Sequence, residues 1–365
     1  MPPPASPSAS APYVLVLAGG SGERFWPLSR RARPKQLLRL FSDKTLLEET
    51  LSRLEGLVTP ERILVLTNQD QESAVRGLLP QLPAENIVAE PAKRDTAAAV
   101  ALAVGWVARR DPGATMLVLP ADHVIRDGAA FRRDLHAAAQ AAQATRALIT
   151  IGIRPTWACP GFGYIELGER ADFGQPADGP PFFNVAAFRE KPAPELAQIF
   201  LERGHYRWNA GMFAWTVPAV LSEFSKQMPE LADFITQLKS APDFAALVAA
   251  RFAALPKISL DYAIMEGAGH VLCLEAGFDW DDVGTWTAVA NYLQQDNHGN
   301  AANCAPTTHE AHGNIVFNDD PARTVALLGV NDLIVVQTAD ATLICHRHEA
   351  EKIKQLISRV PGALQ

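Results

Sequence analysis

The sequence predicts an α/β fold with a mostly parallel sheet, followed by a small β-rich domain, and three observations carry that expectation. Short, continuous apolar runs such as residues 13–17 and 116–119 are of the kind that form strands buried on both faces. Through the first 150 residues these runs alternate with longer helical stretches, the pattern of a parallel sheet covered by helices on both faces. After Asn297 the texture changes to brief β-branched runs about ten residues apart, with turn signals between them.

Taken in order, the first strand is expected at 13–17. A loop at 18–34 follows, with three glycines and two prolines. A helix over 46–57, a strand over 63–66, a helix over 71–79 and a strand near 87–89 come next. The alanine-rich stretch 96–110 reads as a helix with Asp95 at its start. A strand over 116–119 ends in Pro120-Ala121-Asp122-His123, and a helix over 131–143 leads to a strand over 147–153. The middle, from about 164 to 286, holds strands at 182–189 and 211–216 and helices at 194–204 and 220–238. Strands at 314–317, 324–328, 333–338 and 342–345 precede a closing helix over 349–359. The resulting division is a Pro-, Ser- and Ala-rich disordered tail over 1–12, a main domain over 13–296 and a small domain over 297–365.

Of the 365 residues, 48% are hydrophobic and 20% charged, the balance of a chain that buries a real core. A formal charge of -7 argues against nucleic acid or an anionic membrane as bulk partner, while leaving room for a local basic cluster that holds phosphate. The four cysteines (Cys159, Cys273, Cys304, Cys345) have no pair at metal-site or redox-motif spacing and suit reduced thiols. No apolar run reaches the roughly 18 residues of a membrane helix. A cytoplasmic protein is expected.

The most informative stretch runs from Leu17 and Ala18 through Gly19-Gly20-Ser21-Gly22-Glu23-Arg24-Phe25-Trp26-Pro27. Glycines let a backbone approach phosphate closely, and Arg24 and Lys35 add charge for a polyphosphate. A dinucleotide-binding turn or a plain structural loop competes with that reading. The dinucleotide fingerprint fails, because Phe25 stands where its third glycine belongs. Asp122, just past a strand, is either a turn residue or a metal ligand. Asp282 poses the same choice within Asp279-Trp280-Asp281-Asp282, a cluster that repels itself unless something neutralises it.

With Pro34-Lys35, the loop resembles the signature of the sugar-nucleotide pyrophosphorylases, and Phe25-Trp26-Pro27-Leu28-Ser29-Arg30 is similar to their mannose-1-phosphate guanylyltransferase branch. The resemblance continues, in order, through Glu90-Pro91, Arg94-Asp95-Thr96-Ala97, Leu119-Pro120-Ala121-Asp122-His123, Gly161-Phe162-Gly163-Tyr164-Ile165-Glu166, Arg189-Glu190-Lys191-Pro192, Trp208-Asn209-Ala210-Gly211, Ser259-Leu260-Asp261-Tyr262-Ala263 and Trp280-Asp281-Asp282-Val283-Gly284. Asp95 departs from the family, which usually has Asn there.

The resemblance implies a Rossmann-like nucleotidyltransferase domain and a β-helix-like C-terminal domain, in a short form without a fused isomerase. It implies transfer of GMP from GTP to α-D-mannose 1-phosphate, with Mg²⁺ held by Asp122 and Asp282. Arg24 and Lys35 are then catalytic with those carboxylates, and Leu17, Ala18, Gly19, Gly20, Gly22, Glu90 and Thr96 bind nucleotide. Lys191 holds the sugar phosphate, and Gly163, Glu190 and Asn209 contact the sugar. His123 is expected to be structural, because the attacking phosphate is already ionised, and Asp261 is expected only to start a helix. No matched motif falls after Asn297, so the small domain is expected to support the fold or a homo-oligomer rather than to supply a reacting group.

Overall fold

The computed structural model describes residues 11–365, so the tail expected over 1–12 lies, but for its last two residues, outside them. The first nine regular elements alternate as the sequence predicts: β1 (Tyr13–Leu17), α1 (Leu46–Arg53), β2 (Ile63–Asn68), α2 (Glu72–Leu78), β3 (Ile87–Glu90), α3 (Asp95–Ala108), β4 (Thr115–Pro120), α4 (Gly128–Thr145) and β5 (Leu148–Ile153). The middle adds β6 (Tyr164–Arg170), β7 (Phe182–Arg189), α5 (Pro194–Arg203), β8 (Tyr206–Thr216), α6 (Val217–Gln227), α7 (Pro229–Ser240), α8 (Phe244–Arg251), β9 (Val271–Glu275) and α9 (Trp286–Val289). The single helix expected over 220–238 is two, because Pro229 has no N–H to continue the first and is well suited to open the second. Strands β6 and β9 were not expected.

These nine strands form one sheet in the order β3-β2-β1-β4-β8-β5-β9-β7-β6. The parallel pairs β1–β2, β1–β4, β2–β3 and β5–β9, and the antiparallel pairs about β8 and β7, set the directions. Seven strands run one way, and only β7 and β8 oppose them. Side chains of β1 alternate between faces. Val14 and Val16 join a core with Leu117, Phe131 and Ile149 under α4, while Tyr13 and Leu15 join another with Val100, Val118 and Phe234 under α3 and α7.

The C-terminal region contains β10 (Gln294–Gln295), β11 (Ala301–Ala302), β12 (Thr307–His309), β13 (Ile315–Asn318), β14 (Ala326–Leu328), β15 (Leu333–Gln337), β16 (Thr342–His346) and α10 (Ile353–Ile357). Strands β11, β13 and β15 stack in parallel as successive turns of a coil, and β12 pairs β14 in the same sense. Buried Asn300 and Asn314 stitch the turns: Asn314 Nδ2 donates to Asn300 Oδ1 and to the Val330 carbonyl. The helix expected over 349–359 is instead a 3-10 segment, Arg347–Lys352, followed by α10.

A third core crosses between the two regions. Phe25, Trp26 and Leu28 of the glycine loop pack with Trp286 and with Ile315, Phe317, Ile334, Val336 and Ile353. Trp26 also donates its indole N–H to the Leu364 carbonyl, 2.8 Å away. The aromatic half of the loop thus serves the packing of the small domain.

Candidate active site

Strand β1 delivers its loop to the carboxyl edge of the sheet, with Leu17, Ala18, Gly19, Gly20 and Gly22 all placed there. The loop's carbonyls are held from below. Gln36 Nε2 donates to the Ala18 carbonyl at 2.7 Å and the Gly20 carbonyl at 3.1 Å, Gln71 Nε2 reaches Gly20, and Thr67 Oγ1 reaches Ala18. All three side chains are buried. Among the described residues, the N–H groups of Gly19, Gly20, Ser21 and Gly22 donate to no protein acceptor. Four consecutive free donors at a strand end make an anion cradle. Gly22 has φ +61°, and the Lys35 backbone occupies the space its Cβ would need, so no other residue fits.

Lys35 is nearly buried and its ammonium joins the two carboxylate segments. It lies 2.9 Å from Asp122 Oδ2, past the end of β4, and also donates to the Asp282 backbone carbonyl. A two-way backbone bridge between Val124 and Asp281 pins the segments together. Burial works against the charge on Asp122, but the Lys35 ammonium and His123 hold its carboxyl below the usual range. Burial, with Asp281 and Asp122 adding repulsion, pushes Asp282 up to about 6 despite Lys35. The pair therefore carries a local excess of negative charge. Burial lowers His123 to about 4, and its Nδ1 accepts the Trp280 indole N–H at 3.0 Å, as a neutral ring does.

On the far side of Asp282 lies a cavity of about 850 Å³ lined by Arg24, Trp157, Phe162, Lys191, Trp208 and Trp280, among others. Lys191 reaches Glu190 at 2.5 Å and is held at φ +41°, a strained backbone for a residue with a Cβ. Glu190 Oε2 lies against Gly163, whose carbonyl accepts the Asn209 N–H at 2.8 Å. Asn209 Nδ2 donates to Asp261 Oδ1 at 2.7 Å, so the residue expected only to start a helix also orients Asn209. Asp261 opens a short π-helix, Asp261–Met265, a shape that recurs at functional sites.

Glu90 ends β3 beside Gly19. Burial and then Asp95 push its carboxyl up to about 7. Asp95 sits at φ +63° with its carboxylate accepting the Thr96 N–H, a left-handed position that Asn and Asp tolerate alike. Thr96 is already engaged at that N–H, and its hydroxyl accepts from Leu260. Arg24 pairs with Glu351 of the small domain at 2.8 Å. Sequence reasoning missed Gln36, Gln71, Asp261, Glu351 and the aromatic wall. Glutamine beside Pro34-Lys35 carries no local signal of its burial.

Among the described residues, no group of three or more His, Cys, Asp or Glu is arranged to hold a metal. None of their helices is long and apolar enough to cross a membrane.

Residues 13–299 match the Nucleotidyl transferase family, and residues 308–360 match the MannoseP isomerase/GMP-like beta-helix domain. The chain is 38% identical over 356 residues to mannose-1-phosphate guanylyltransferase of Escherichia coli K12, covering 95% of this chain and 73% of that protein. It is 35% identical over 361 residues to xanthan biosynthesis protein XanB of Xanthomonas campestris pv. campestris B100, covering 96% and 73%. A crystal structure described as mannose-1-phosphate geranyltransferase from Thermus thermophilus superposes with a TM-score of 0.84 at 36% identity, covering 95% of this chain and 98% of that one.

Proposed function

Because this chain belongs to the nucleotidyl transferase family, in its mannose-1-phosphate guanylyltransferase branch, we infer that it transfers GMP from GTP to α-D-mannose 1-phosphate, giving GDP-mannose and pyrophosphate. The observation that carries the reading is the joining of two cavities. Arg24, Asp282 and Gly284 line both the cleft that holds the glycine cradle and Lys35, and the larger cavity that holds Lys191. A triphosphate in the first and a sugar phosphate in the second meet at the carboxylates.

A mannose 1-phosphate oxygen attacks the α-phosphorus in line, the bond to the bridging oxygen breaks, and pyrophosphate leaves with that electron pair. The attacking phosphate is already ionised at neutral pH, so no general base is required, and neutral His123 at about 4 has no proton-accepting task. The free N–H groups of Gly19 to Gly22 and the Arg24 guanidinium bind the triphosphate. Lys35 fixes Asp122 against the 282 segment, and Lys191 takes the sugar phosphate. Glu190 and Asn209 bond sugar hydroxyls, and Trp208 and Trp280 offer apolar faces to the ring. Glu90 accepts from guanine N1–H and the exocyclic amine, with Thr96 beside it.

Asp122 and Asp282 suit a divalent cation such as Mg²⁺: both are hard oxygen donors, and burial with mutual repulsion raises one of them. Two carboxylates leave the remaining coordination positions to substrate and water. When bound, such an ion offsets phosphate charge. The same reading treats 13–296 as the catalytic domain and 297–365 as its support. A homo-oligomer formed through the small domain belongs to the same reading, and four free cysteines support a cytoplasmic setting.

The test is a pyrophosphate-release assay with the four ribonucleoside triphosphates against several hexose 1-phosphates. Turnover highest with GTP and mannose 1-phosphate supports the reading. A strong preference for another pair replaces it with the same reaction on that pair.

A further inference from the structure

Helix α10 packs on the Glu23–Phe25 turn of the glycine loop, with Ile353 and Phe25 in one core. That packing brings two charged residues of the small domain to the catalytic cleft. Glu351 takes Arg24 as its partner. Lys354, three residues on and so on the same side of the segment, lines the cleft of about 290 Å³ together with Ser21, Gly22, Arg24, Lys35 and Asp282. Among the described residues Lys354 forms no ion pair. Of the acidic groups nearby, Glu351 pairs with Arg24 and Glu349 with Lys352, while Glu23 lines the same cleft and, among the described residues, forms no ion pair.

The charges are unequally shared. Lys35 is spent on the carboxylate segments and Arg24 on Glu351, so neither offers a full free charge to an incoming triphosphate. Lys354 is, among the described residues, the cation in this cleft without a protein partner. Its place in the cleft is beside the Glu23–Phe25 turn, whereas Glu90, the candidate for the base, lies beside Gly19 at the start of the loop. Lys191 lines the other cavity, where the sugar phosphate belongs. With the base placed beside Gly19 and the sugar phosphate at Lys191, the position beside the turn is the one left for the β- and γ-phosphates.

We propose that Lys354 is a substrate-binding residue that the small domain contributes to the nucleotide cleft, where it grips the pyrophosphate portion of GTP. This rests on the GTP-dependent transfer proposed above. Arg24 leaves Glu351 for the same phosphates as the nucleotide enters, so the triphosphate draws on both cations.

The experiment is direct binding by calorimetry on the full chain, wild type and Lys354→Gln, with GTP, inorganic pyrophosphate and GDP-mannose as separate ligands. Loss of one charge-assisted contact at a solvent-facing site weakens GTP and pyrophosphate binding by about tenfold. GDP-mannose, which lacks the leaving pyrophosphate, binds both proteins alike. Lys354→Arg restores most of the GTP affinity, and melting temperature stays constant because the side chain is exposed. Equal weakening of GTP and GDP-mannose, or no weakening of either, overturns the proposal while leaving the transfer reading intact. A wild-type protein that binds neither GTP nor GDP-mannose overturns both.

Discussion

The glycine-loop side and the Lys191 side of this cleft, proposed above to take nucleotide and sugar phosphate, are built in opposite ways. The nucleotide loop hangs from parallel strands, and its carbonyls are fixed by Gln36 and Gln71, each only 2% exposed. The Lys191 side rests on the antiparallel β6, β7 and β8, and Lys191 itself is 65% exposed, strained in backbone and neutralised by Glu190. One side is set before substrate arrives. On the function proposed above, the other exchanges its Lys191–Glu190 pair for the incoming phosphate. Buried hydrogen bonds hold a rigid frame because breaking one leaves an unsatisfied polar group, whereas an exposed pair costs little to exchange. Base selection is therefore expected from the fixed side, and sugar-phosphate capture from the yielding one.

The largest effect falls at the seam between them. Asp122→Asn and Asp282→Asn keep the shape and remove a charge, and each should lower turnover by about a hundredfold or more, some 2.7 kcal/mol, with the fold unchanged by circular dichroism. Near-normal pyrophosphate release from Asp282→Asn would transfer its role to Asp281.

On the rigid side, Glu90→Gln should cut the preference for GTP over ATP by roughly ten- to a hundredfold, since a bidentate contact gives about 1–3 kcal/mol of discrimination. The same carboxyl should make GTP binding depend on pH. Only the ionised form accepts two donors, and Glu90 titrates near 7, so affinity should hold above that value and fall about tenfold per unit below it. Burial is the main cause of the raised value and Asp95 the second, so Asp95→Asn should move the inflection to lower pH. A flat profile between pH 6 and 8 would assign base recognition to the backbone.

The smallest effect belongs to the yielding side. Lys191→Ala should raise the KM for mannose 1-phosphate by about tenfold more than that for GTP, the loss of one charge-assisted contact. Equal rises in both would make Lys191 a structural residue and erase the contrast.

Much of this contrast was legible in the residues themselves. The strands β1 to β5 announce themselves as apolar runs, and the glycines, Lys35 and Asp122 mark the sheet edge where ligands bind. What escaped notice depends on distant partners. Insertion of β8 between β4 and β5 is a matter of long-range pairing, to which the local pattern of residues 206–216 is blind. Strand β9 is five residues among glycines, too short for a period to show. Gln36, Gln71 and Asp261 look like ordinary polar residues until burial or a partner fixes their role, and the 3-10 segment carrying Glu351 read as plain helix.

The bond between Trp26 and Leu364 spans 338 positions of sequence. At a synthesis rate of about 5–20 residues per second, tens of seconds pass between the emergence of the glycine loop and that of the segment it leans on. During that interval Phe25, Trp26 and Leu28 have no apolar partner from the small domain. A nascent chain therefore carries a glycine loop whose aromatic half is covered only in part, by Leu38 and Trp286 of the main domain, until the segment around Leu364 docks.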